Sequence, residues 1–279
     1  MTTEPSAEDI GFAAVTSAEM SVEHAHRVAA VLDAHVDLHS GAPLPLLWHW
    51  AFFTPSTPTA ALGPDGHPGL PADGPTADLP RRMWAGGRLR QRAPLRLGDP
   101  ATRRTTVAKA ERKSGRSGEL LIVTAVHEIH QGGEAVITEE QDLVYRPASS
   151  APIDTPSGDH RPEPSDGGWS EEMIIDPITL FRFSAITFNS HRIHYDARYA
   201  TSEEGYPGLV VHGPLTAILL AESARRRGRQ GVAFSFRASA PLFAATPFTL
   251  LGAPDAHTVE LQAVRNDGAV AMTAQLAED

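Results

Sequence analysis

The chain has 279 residues, a formal net charge of −10 at neutral pH and no cysteine. Its 41% hydrophobic content is enough for a packed core, and the missing cysteines exclude disulfides, thiolate zinc sites, iron–sulfur clusters and cysteine nucleophiles. No apolar run reaches the roughly 18–20 residues of a membrane helix, the N-terminus is acidic and polar with no leader pattern, and the acidic balance argues against a nucleic-acid partner. A cytoplasmic protein is expected.

In chain order, Thr16 followed by Glu19 has capping-box spacing, and the run Val22–Asp37 carries Val28, Val31 and Leu32 at helical spacing. A Pro- and Trp-rich stretch and the turn-like LGPDGHPG follow. From Arg81 to Arg116 there are twelve Lys or Arg against two acids, Asp99 and Glu111. That basic island reads either as a site for an anionic ligand or as a solvated strand face. Thr105–Ala110, Glu119–His130 and Glu134–Tyr145 alternate as strands. The Pro/Ser/Asp/Gly-rich stretch 148–168 reads as a linker between two domain-sized parts, 1–147 and 169–279.

The second part repeats the order. Pro177–Phe188 is a helix with proline in its first turn, Asn189–Gly208 is a polar loop, and Leu215–Arg227 is an apolar helix. That last helix has apolar residues on more than one face, so a sheet should surround it. Val232–Ala238, Phe248–Gly252, Val259–Arg265 and Ala269–Leu276 read as strands, with Asn266-Asp267-Gly268 as a hairpin turn. The fold class expected is α+β, with antiparallel sheet wrapped around helices.

Three segments concentrate functional groups. FNSHRIHYDARY, 188–199, holds Asn189, His191, Arg192, His194 and Tyr199 on a loop, and imidazoles there suit acid/base work near neutral pH. His191, His194 and Asp196 could also be read as metal ligands, and His35 and His39 have i, i+4 spacing, but no accompanying motif supports a metal site and none is expected. GLVVHGPL, 208–215, places His212 and Gly213 at a helix start, where unpaired N–H groups can hold a developing oxyanion. In Arg81–Asp99, arginine forks including Arg82 suit anions and Trp84 could stack on a planar ring. The triplet Arg225–Arg227 complements a helix C-terminus.

Together LGPDGHP, RRMWAGG, PLRLGD, EEQDLVYR, FRFSAITFNSHRIHYDARYA, GYPGLVVHGPL and FRASAPLF resemble the MaoC-like hydratase/dehydratase superfamily in its two-domain form. The closest resemblance is to the branch of mesaconyl-CoA (C4 thioester) and methylfumaryl-CoA hydratases and 3-hydroxyacyl-thioester dehydratases. The resemblance implies a double hot-dog fold, with a degenerate first half shaping the acyl pocket and a second half carrying the hydratase motif. It implies reversible hydration of an enoyl thioester of coenzyme A or an acyl carrier, no cofactor, and a homodimer.

By the same resemblance His194 takes a proton from water, Asn189 orients that water and the Gly213 N–H holds the thioester oxygen. His191 would be a second acid/base or a carboxylate ligand, Arg192 and Arg82 carboxylate ligands, and Trp84, Tyr199 and His212 further substrate contacts. The superfamily has aspartate where this chain has Asn189, and an asparagine amide cannot act as a base. The rival readings are a hot-dog thioesterase, a dehydratase acting on a carrier-bound intermediate and a non-catalytic acyl-CoA-binding module.

Overall fold

The computed structural model describes residues 6–10, 12–69, 74, 76, 78–115, 118–147, 153 and 155–278. Ten antiparallel strands form one sheet: β1 (Val15–Glu19), β2 (Arg81–Gln91), β3 (Pro100–Gly115), β4 (Gly118–Gln131), β5 (Glu134–Arg146), β6 (Trp169–Met173), β7 (Ala233–Ala238), β8 (Phe248–Pro254), β9 (Thr258–Arg265) and β10 (Val270–Ala277). Their order across the sheet is β1-β3-β4-β5-β2-β7-β10-β9-β8-β6. The strands of each half are therefore contiguous, and β2 against β7 is the seam between them.

The seam bears on the basic segment, for which a ligand site and a solvated strand face were both open. Arg81–Gln91 is a strand, and Gly86 and Gly87 face Arg237 and Phe236 across the seam. A Cβ on Gly86 would come within 2.7 Å of the Phe236 carbonyl oxygen, and one on Gly87 within 2.7 Å of the Glu140 carbonyl oxygen. Only glycine allows that approach. Arg88 is ion-paired with Glu140 and Asp142 on β5, and Arg96 donates to the Gly41 carbonyl, so both are committed to the fold.

The four helices are α1 (Val22–Leu32), α2 (Pro177–Thr187), α3 (Ala197–Ser202) and α4 (Gly213–Arg225). The expected pair Thr16 and Glu19 lies in β1; the cap of α1 is Ser21, whose side chain accepts from the His24 N–H. The helix stops at Leu32, short of the expected Asp37, because Asp33 turns into the left-handed region at φ 49°. Every residue of α4 from Leu215 to Ala224 is buried, as its all-round apolar pattern requires. Its one buried charge, Glu222, accepts from Trp48 Nε1 and pairs with Arg225, and Arg226 and Arg227 pair with Glu171. One large hydrophobic cluster contains residues of α1, α2, α4 and both halves of the sheet.

The segment 155–168 has no helix or strand, and Ile153 packs against the buried cluster of Ile193, Ala200, Val210 and Phe243. Residues 148–152 and 154 of the expected linker lie outside the described residues. The loop expected over 189–208 contains α3, and β6 went unpredicted. No described helix is long and apolar enough to cross a membrane.

Candidate active site

A cavity of about 1510 Å³ opens between the halves. Its walls include Trp50, Phe53, Asp65, His67, Arg82, Trp84 and Arg103 from the first half, and Phe183, Ser184, Asn189, His191, His194, Tyr199 and Gly213 from the second.

The second half builds its wall at the end of α2. Asp176 caps that helix and Phe188 ends it in the left-handed region at φ 50°. The chain then turns so that the Asn189 N–H donates to the Ser184 carbonyl. Asn189 Oδ1 accepts from the His191 N–H at 3.0 Å. With Oδ1 committed to its own turn, the group Asn189 has left for a ligand is its amide donor.

His194 sits on a short 3-10 turn, Arg192–His194, and is buried. Its Nδ1–H donates to the Val210 carbonyl at 2.8 Å, which leaves Nε2 with the lone pair. Its ring stacks on His212, with centroids 3.6 Å apart and planes 20° apart. Burial pulls the His194 imidazolium down to about 4, with the Val210 bond working against that and His67 adding to it. The ring is thus a neutral imidazole at neutral pH.

Several expected contacts lie elsewhere. His212 is fully buried, is not among the residues lining the cavity, and bonds Ser184 Oγ through Nε2 at 2.9 Å. It backs the His194 ring, and burial and His194 hold its value well below that of a free histidine. Arg192 is also absent from the lining. Its guanidinium pairs with Asp196, covers the Tyr199 ring at 4.1 Å and donates to the Pro64 carbonyl, so it ties two loops together. Tyr199 does line the cavity, and its hydroxyl donates to Glu204. Trp84 stands in an aromatic wall, edge-on to Trp50 at 4.7 Å and to Phe236 at 5.7 Å. Arg82 lines the cavity and, among the described residues, has no carboxylate in salt-bridge range.

Gly213 opens α4 facing the cavity, followed by Pro214, and no side chain caps the helix. A Cβ on Gly213 would meet no protein atom within 4 Å. Protein packing does not demand glycine there, whereas a ligand approaching the backbone N–H would.

Sequence reasoning missed Asp65 and His67, which it read as part of a turn. His67 Nδ1–H donates to Asp65 Oδ2 at 3.0 Å, and the His67 ring lies 4.0 Å from the His191 ring. The Asp65, His67 and His191 ligand atoms all lie within 4.8 Å of one another, so among the described residues this trio, and not the His191, His194, Asp196 set weighed from the sequence, has the spacing of a metal site. Asp196 instead caps α3 and binds Arg192.

The buried histidines carry a prediction for stability. His127 and His194 are held at about 4 in the fold, in each case chiefly by burial, against 6.5 when free. The unfolded chain therefore binds their protons first, so their contribution is present above about pH 6.5 and is lost as pH falls toward 4. Each gives up about 3 kcal/mol across that window. A steep fall in melting temperature between pH 6.5 and 4 is the expected result, measured by thermal denaturation; a flat profile would contradict the buried neutral assignment.

The comparisons with known proteins bear on this geometry. A family model, hydroxyacyl-thioester dehydratase type 2, matches residues 47–244. The chain belongs to that family. The match takes in residues on both sides of the cavity, from Trp50 to Leu242. Over 234 residues the chain is 49% identical to the mesaconyl-C(4)-CoA hydratase of Chloroflexus aurantiacus, covering 84% of this chain and 83% of the relative. Among solved structures, HtdX of Mycobacterium tuberculosis superposes with a TM-score of 0.68 at 17% identity, covering 96% of this chain and all of that one. A second M. tuberculosis protein, described as a double hotdog fold, superposes at 0.59 and 12% identity, covering 98% and 97%. The fold of this family member is thus the double hot dog, as expected, and as a hydroxyacyl-thioester dehydratase homologue it is a hydro-lyase.

Proposed function

We propose that the chain adds water reversibly across the double bond of an enoyl thioester, and that its substrate is a short, carboxylate-bearing acyl-CoA of the mesaconyl type. The observation that carries this reading is the pairing of His194 with Gly213 on one wall of the cavity. One supplies a neutral imidazole with its tautomer fixed, the other a free N–H at a helix start.

His194 Nε2 takes a proton from water as the water oxygen bonds to the β-carbon. The π electrons move to the thioester oxygen, which the Gly213 N–H and the α4 dipole stabilise as it becomes anionic. The Asn189 amide donates to the water oxygen and orients it. The addition is completed when a proton reaches the α-carbon and the enolate electrons form the C–H bond, and none of these steps calls for a cofactor. Drug-sized ligands occupy roughly 300–1,000 Å³, so a cavity of about 1510 Å³ accommodates an acyl group together with its pantetheine arm.

The mesaconyl-type acyl group is supported by the 49% identical relative and by Arg82, which lines the cavity, donates to the Ile10 carbonyl and has no carboxylate in salt-bridge range among the described residues. Hydration in heavy-oxygen water should place the label in the β-hydroxyl and none in a released carboxylate, read by mass spectrometry. R82Q should raise KM about tenfold or more for a carboxylated enoyl-CoA while leaving crotonyl-CoA nearly unchanged. An equal loss on both substrates would remove Arg82 from acyl recognition.

A further inference from the structure

The site described so far has one acid/base group, while hydration moves two protons: one leaves the water and one arrives at the α-carbon. The position where the superfamily has aspartate is Asn189, whose amide can neither take up nor release a proton and whose oxygen already accepts from the His191 N–H. The carboxylate that faces this cavity beside the histidines belongs to the first half, in the loop LGPDGHP.

That loop is fixed against the motif loop. The Arg192 N–H donates to the Asp65 carbonyl at 2.8 Å, the Arg192 guanidinium to the Pro64 carbonyl at 2.9 Å, and Ser190 Oγ to the Gly66 carbonyl. Gly66 has φ +87°, and a Cβ there would lie 1.9 Å from the Ser190 carbonyl oxygen. Only glycine lets the loops meet so closely. Asp65 then holds the next histidine twice: Oδ1 accepts the His67 backbone N–H and Oδ2 accepts Nδ1–H, each at 3.0 Å. His67 Nε2 keeps its lone pair. Its ring lies 4.0 Å from His191, which lies 5.4 Å from His194.

We propose that His67, backed by Asp65, is the second acid/base group of the hydration, supplied by the first half in place of the missing carboxylate. This rests on the hydration reading above. The argument is where a proton can rest. The Nδ1 of His194 faces only a neutral carbonyl, and His212 bonds a hydroxyl. Burial and the Arg82 charge hold the His67 imidazolium below the usual range and Asp65 works against both; among these histidines His67 is the one hydrogen-bonded to a carboxylate, so a proton arriving there meets a countercharge.

The steps balance. The water O–H bond breaks, its proton passes to His194, the C–O bond forms at the β-carbon and the π pair becomes an enolate. His194 gives its proton up to solvent in the open cavity, and His67 Nε2 takes one up in its place. From there it forms the new C–H bond at the α-carbon as the enolate electrons return, and every side chain ends as it began. Dehydration is the reverse. Asp65 is a positioning residue in this scheme. The groups facing His67 are Asp65 in its own loop, Arg82 from β2, and His191 and His194 from the motif loop; Tyr199 faces Asp65.

H67Q removes the proton-carrying nitrogen, and D65N removes the countercharge while keeping the side chain's size. With folding checked by circular dichroism, H67Q should lower kcat at least about 100-fold on both crotonyl-CoA and a carboxylated enoyl-CoA, with little change in KM. It should also slow deuterium exchange at the α-carbon of the 3-hydroxyacyl thioester. D65N should lower kcat about tenfold and move the acidic limb of the pH profile to lower pH, since the carboxylate favours the imidazolium. Adding N189D to H67Q should restore part of the lost turnover.

Unimpaired kcat in H67Q, or a rise in KM confined to the carboxylated substrate, would overturn the assignment and make His67 a carboxylate ligand. Turnover lost on chelation, with a metal found in the purified protein, would also overturn it, because the ion would occupy the same atoms. A wild-type protein that hydrates neither thioester would instead overturn the hydration reading itself.

Discussion

H194A is expected to lower kcat about 1,000-fold while the protein stays folded. The substitution removes the imidazole that accepts the water proton, and nothing nearby can replace it at that atom. Asn189 has no basic nitrogen, and the His212 ring behind His194 does not line the cavity. The structural cost is small. The ring lies on the wall of an open cavity, so its loss creates no sealed void, and the Val210 carbonyl loses one hydrogen bond, worth about 1 kcal/mol. KM should change far less than kcat, because the base acts mainly in the transition state. Steady-state kinetics with a melting curve on the same sample checks both halves. A folded variant within tenfold of wild-type turnover would remove His194 from the chemistry.

E139A is expected to be the most destabilising single change, at about 3–5 kcal/mol. Glu139 is buried on β5, where Oε2 accepts from His49 at 2.8 Å and Oε1 from Trp50 at 2.8 Å and Gln141 at 3.0 Å. Burial pushes its carboxyl up, but the hydrogen bond and charge of His49, with help from His127 and Gln141, outweigh burial and hold it at about 2. Arg103, itself half-buried, draws compensating charge from the same carboxylate. Truncation therefore strands one cation and several donors at once, and loosens Trp50, a wall of the cavity. E139Q keeps acceptor and size but not charge, and should cost less. Urea denaturation measures both. A loss under 1 kcal/mol for E139A would mean that water or a side-chain shift repairs the network.

The second half was the more legible part of the sequence. The helix α4 carries apolar residues all round, which has one solution, enclosure by sheet, and four of the five strands of that half were readable from their patterns. The cluster from Asn189 to Tyr199 stood out because so many polar side chains fall within one turn-rich stretch. The first half hid more. β2 contains two glycines and a row of arginines, which read locally as well for an anion site as for a strand face; what makes it a strand is the close approach of β7, set by residues about 150 positions away in sequence. His67 was hidden for a similar reason. Pro, Asp and Gly around it spell a turn, and nothing local says that the turn docks on Ser190. Arg192 and His212 show the opposite error. Both sit inside the motif, yet one cross-braces two loops and the other stands behind the base, because residues adjacent in sequence on a tight turn point in different directions.

The central claim is that this cavity adds water to a carbon–carbon double bond and leaves the thioester intact. Following the conjugated enoyl-thioester absorbance on mixing purified protein with the C4 thioester of mesaconyl-CoA, with a thiol-trapping reagent in a parallel cuvette, tests it most directly. The account predicts loss of absorbance with no thiol released. Release of thiol would make the protein a thioesterase, and silence in both channels with bound acyl-CoA would make it a binding module; either result would contradict the account.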